Sequence, residues 1–238
     1  MHTNAALPSL DPGRRPSPLW LRAGFWICTA IAVAVVIRRI VALANPSHSP
    51  AAPQLAALDD YFVSHAALTL VHIIPALAFV VVAPFVVFRG RAAWAEWLIY
   101  PLGAVVGLTA YAMSAHAVGG WVERSAVLFF DTLFLFSLLR GYLYRREKDW
   151  VRERAWLLRA IAVLLGIATT RPVMGVFFAT SRVTHLTPHQ FFGIAFWIGF
   201  SINTLVFEVW LRSRLRARES TRLYADGDEI PSHFRRTP

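Results

Sequence analysis

The sequence predicts an all-α fold: a polytopic membrane bundle of six transmembrane helices with both termini cytoplasmic. Three observations carry this. Six apolar stretches, about 19–43, 65–88, 97–117, 124–144, 156–179 and 190–211, occupy most of the 238 residues. Each is close to the roughly 20 residues that cross about 30 Å of hydrocarbon, where only a helix satisfies its own backbone. The composition agrees, at 56% hydrophobic with a mean hydropathy of +0.49. The basic residues are also one-sided. Nineteen of 24 fall in the N-terminal lead, between spans two and three, around the turn from four to five, or after span six. Cytoplasmic loops carry such an excess, which sets the orientation.

The net charge of +10 thus follows membrane topology and does not point to nucleic acid. Anionic lipid headgroups are the natural counterpart of the basic face; no protein partner is indicated. Cys28 is the only cysteine, so an internal disulfide and a cysteine metal cluster are both excluded.

Residues 1–18 hold Pro8, Pro12, Pro16 and Pro18 and read as a flexible cytoplasmic lead. Span one follows, too long for a typical cleaved signal peptide, with Arg38 and Arg39 at its outer interface. Asn45 to Asp60 contains Pro46, Pro50 and Pro53 without a basic residue and forms the long external loop. Spans two and three bring His65, His72, Tyr111 and His116. Span four carries Asp131 and Arg140, and residues 145–154 make a charged cytoplasmic turn. Span five carries Arg159 and Arg171. Before span six, Thr187-Pro188-His189-Gln190 reads as a capping box with proline at the first helical position and a Leu186–Phe191 staple. Span six holds Asn203 and Glu208. Residues 213–238 read as a basic, disordered cytoplasmic tail. Trp20, Trp26, Trp94, Trp97, Trp121, Trp156 and Trp210 fall near span ends, as interfacial anchors do.

Counting residues gives depth. His72 and Asp131 each lie seven residues in from the outer side, about 10 Å at 1.5 Å per residue. Arg171 lies at a similar level. Charge in hydrocarbon costs several kcal/mol unless paired or hydrated. An Asp131–Arg171 pair between spans four and five is therefore expected, either only fixing helix register or lining an outer polar pocket with His72 and His116. Arg159, Asn203 and Glu208 make an inner polar layer, with Glu208 expected to pair with Arg159 or Arg140.

Imidazoles projecting into a bundle can ligate haem iron. His72 and His116 are the candidate axial ligands of one haem b, with His65 and His185 as further candidates. No Ser/His/Asp or Cys/His order marks a hydrolase. Three functions follow: haem- or quinone-linked redox work, the leading one; a small-solute or proton-coupled carrier; and a non-catalytic accessory subunit. The absence of visible repeats or broken helices counts against a standard secondary transporter.

Several segments resemble a family of bacterial membrane proteins, domain of unknown function 2306. They are Val71-His72-Ile73-Ile74-Pro75-Ala76, Ala115-His116-Ala117-Val118-Gly119-Gly120, Glu153-Arg154-Ala155-Trp156-Leu157-Leu158-Arg159, Thr169-Thr170-Arg171, and Asn203 with Glu208. The likeness covers roughly residues 65–212. It implies a bacterial inner-membrane protein and makes Arg171 a family feature. The chain departs from the family pattern at Glu153 and at Ala95-Glu96-Trp97, where relatives tend to carry histidine.

Overall fold

The computed structural model describes residues 18–45, 62–88 and 93–227, and they are helical throughout apart from turns. The helices are α1 (Leu19–Ala44), α2 (Ala66–Phe88), α3 (Ala93–Ser114), α4 (Gly120–Arg146), α5 (Trp150–Leu164), α6 (Gly166–Thr184) and α7 (Pro188–Gly227). Together α5 and α6 make one span, so six helical segments are long and apolar enough to cross a membrane.

Local chemistry sets the ends. Gly120 takes φ +61° and opens α4, earlier than hydropathy suggests. Lys148 turns at φ 60°. Asp149 then caps α5 by accepting the Arg152 backbone N–H at 3.1 Å. His185 ends α6 at φ 55°, donating its N–H to Ser181. At α7, Gln190 Oε1 reaches back to the Thr187 backbone N–H at 2.9 Å, which is one half of a capping box. Thr187 Oγ1 binds the same oxygen at 3.1 Å and leaves the other half unmade. Phe191 is fully buried, with Leu186 packed on its cluster.

Two expectations change. Span five is not continuous: Leu165 has ψ −9°, well off the helical value, and the helix restarts at Gly166. Residues 213–227 are helical, not a disordered tail, because α7 runs to Gly227. That stretch holds mostly helix-forming Arg, Leu, Ala and Glu and no proline. Residues 1–17 and 228–238, and most of the expected external loop, lie outside the described residues.

Consecutive helices α1 to α5 pack as neighbours; α7 returns against α4, α5 and α6, and α1 also touches α6. The core centres on Phe79, Ile99, Phe134, Leu138 and Leu157. Large apolar side chains such as Val71, Ile74, Leu108, Phe129 and Val209 point outward, as lipid-facing residues do. Trp20, Trp26, Trp94, Trp97 and Trp121 are exposed near helix ends, whereas Trp156 lies beneath the Arg159 guanidinium, 4.5 Å from it.

The split of span five decides which helices meet. Its first half, α5, packs on α4; its second half, α6, packs on α7 and α1, and α5 and α6 touch each other little. The α6–α7 contact is close because it is built on glycine. A Cβ on Gly199 would strike Thr170, and one on Gly166 would come within 2.6 Å of Phe200.

Candidate polar sites within the bundle

At the arginine-rich end, Arg145 Nη1 donates to Glu96 Oε2 at 2.9 Å and to Glu153 Oε1 at 3.0 Å. The Tyr100 hydroxyl donates to the same Glu153 oxygen at 2.9 Å. Glu153 is 2% exposed. Arg154 adds a bond from Nη2 to the Val87 carbonyl at 2.8 Å. Four helices are thereby tied together. Hydropathy places Glu96 and Glu153 outside the spans; the helices begin earlier and draw both inside.

The next layer joins Arg159 and Glu208 through two hydrogen bonds, 2.8 and 3.3 Å, with Arg212 at 2.8 Å on the same carboxylate. Arg140 is not Glu208's partner and stacks on Tyr144 instead. Asn203 serves the break in span five. Its Nδ2 donates to the Ala162 carbonyl at 2.6 Å, and its Oδ1 accepts from Thr169 at 3.3 Å. Ala162 would bond Gly166 in an unbroken helix, so Asn203 satisfies an acceptor that the break sets free.

In the opposite half the histidines occupy two levels. His72 Nδ1 meets Thr109 Oγ1 at 2.9 Å. Seven residues away along each helix, about 10 Å by helical rise, His65 and His116 meet edge to face with centroids 4.4 Å apart. Two axial ligands must face each other across one iron. His72 and His116 do not, and the His65–His116 contact leaves no space for a macrocycle between the rings. His185, the exposed end residue of α6, reaches neither. These histidines do not fit haem b. Among the described residues, no three His, Cys, Asp or Glu side chains are grouped to hold a metal ion.

No family model, curated protein or solved structure matches the chain.

The Asp131–Arg171 pair does not form. Asp131 and Leu135 are one turn apart on one face of α4, and Leu135 fills the space over Gly107 of α3. Beside them, Thr132 bonds Tyr111 of α3 at 2.6 Å. Arg171 lies on α6, which the break carries away to α1 and α7. Asp131 is 8% exposed, its Oδ2 has no hydrogen-bond partner, and no neighbouring charge acts on it.

Arg171 has different company. Its Nε is buried without a partner, and Nη1 approaches only the Met174 sulfur, at 3.8 Å. The charges acting on it are those of Arg38, Arg39 and Glu123. Glu123, 9% exposed, accepts the Gly119 N–H and also feels Arg171 and His189. Sequence reading missed Glu123 because hydropathy starts span four one residue after it. The Gly119-Gly120 pair just before it is the signal that the helix begins earlier.

Proposed function

We propose that the protein is a proton-coupled carrier of a small solute in a cytoplasmic membrane, with both termini cytoplasmic and Asp131 as the proton-exchanging group. One observation carries this reading. Five acidic side chains lie within the described spans, and four have a cation or a donor: Glu96, Glu123, Glu153 and Glu208. Asp131 alone has neither. A carboxylate at the centre of a membrane helix costs about 2.5–3.5 kcal/mol even on the most lenient scale. A bound proton relieves that cost, and its release and return is a transport step. The broken fifth span adds support, since carriers build sites on interrupted helices. We also place the chain, on its quoted segments, with domain of unknown function 2306.

The test is proton flux in proteoliposomes of the purified protein, with a trapped pH-sensitive dye and an imposed inward gradient of a small solute, sodium lactate or sodium phosphate. Wild type should acidify the lumen faster than empty vesicles, and Asp131→Asn should fall to the empty-vesicle rate. Equal flux from wild type and empty vesicles would sink the reading.

A second reading, a non-catalytic accessory subunit, is favoured by the Arg145–Glu96–Glu153 layer, whose charges are consumed in tying helices together. Its test is abundance in the membrane. Under this reading Asp131→Asn is silent in every flux assay, while Glu153→Gln lowers abundance.

A further inference from the structure

We infer that Arg171 is an oxyanion-binding residue, taking the carboxylate or phosphate of the solute from the side opposite the arginine-rich end. This deepens the carrier reading and rests on it. The guanidinium has donors to spare: Nε has no acceptor, and Nη1 has only a thioether, a weak one. The positive field is reinforced by Arg38 and Arg39 of α1. The one opposing charge, Glu123, already accepts the Gly119 N–H and makes no ion-pair contact with Arg171. A planar guanidinium in a low-dielectric setting suits bidentate binding of an oxyanion.

An open recess of about 210 Å³ lies at the α3–α4 turn, lined by Ser114, Ala115, Ala117, Gly120, Trp121 and Arg124. His189 abuts Gly120; a Cβ there would lie 3.1 Å from its Nε2. Glu123 feels both His189 and Arg171. An anion at Arg171 and a proton at Asp131 would cross together with no net charge, which links the two groups without their touching.

The experiment is equilibrium binding to the full-length protein in a neutral detergent, read by tryptophan fluorescence, with sodium lactate and sodium phosphate as probes and chloride as the control. Wild type should bind an oxyanion saturably. Arg171→Gln should abolish binding, Arg171→Lys should weaken it at least tenfold, and Glu123→Gln should tighten it several-fold. The opposite directions of the last two keep the test decisive if Arg171→Gln does not fold. A parallel arm compares nanodiscs of phosphatidylcholine with and without phosphatidylglycerol. An Arg171-dependent response to phosphatidylglycerol alone assigns the site to a lipid headgroup and overturns the solute assignment. No Arg171-dependent response to any oxyanion overturns the inference entirely. Binding is read without a gradient, so its failure leaves the proton reading standing; lost flux with binding intact fails the proton reading alone.

Discussion

Asp131 and Glu153 are both buried carboxylates, and their surroundings give them opposite roles. Glu153 receives Arg145 and Tyr100. Removing it leaves Arg145 with Glu96 only, and breaking a buried ion pair costs about 3–5 kcal/mol. Glu153→Ala should therefore lower the thermal midpoint of the detergent-purified protein sharply. Tyr100→Phe, losing one hydrogen bond, should cost about 1 kcal/mol. A Glu153→Ala melt matching wild type would mean that the layer contributes no stability. Asp131 has no such partner to lose, so Asp131→Asn should leave the melt unchanged or raised while abolishing proton flux. Hydropathy identified Asp131, Arg171, Arg159, Asn203 and Glu208 as charged or polar groups at membrane depth. It could not assign partners, because a partner depends on which faces meet.

The fifth span is the element on which most of this turns. Its interruption at Leu165 sends α5 to α4 and α6 to α7, which separates Asp131 from Arg171. No proline lies at the break itself, the nearest being Pro172 within α6; Gly166 is the local sign, and its close contact with Phe200 cannot be read from the sequence. Asn203 holds the break by accepting Thr169 and capping Ala162. Asn203→Leu should leave that carbonyl without a donor and cost about 1–3 kcal/mol, seen as a lower melting midpoint. Gly166→Ala should cost about as much by overpacking against Phe200. If Asn203→Leu were neutral, the carbonyl would have found another donor and the break would not depend on α7. The reach of α7 to Gly227 follows from residue chemistry alone, since nothing before that glycine stops a helix.

At the scale of the molecule, the arginine distribution predicts a cytoplasmic C-terminus: a fluorescent protein fused after Pro238 should mature and fluoresce, and a periplasmic phosphatase fused there should stay inactive. The reverse pattern would invert every depth assignment above. The sequence by itself determined the six apolar spans and their helicity, because the cost of exposing backbone to hydrocarbon is local and additive along the chain. Only the tertiary structure decided that the histidines sit on two levels, that Glu123 and Glu153 lie within the helices, and that Asp131 and Arg171 do not meet. Those facts depend on rotation about helix axes, on where each helix begins, and on one break in span five. All three are set by packing between segments distant in sequence.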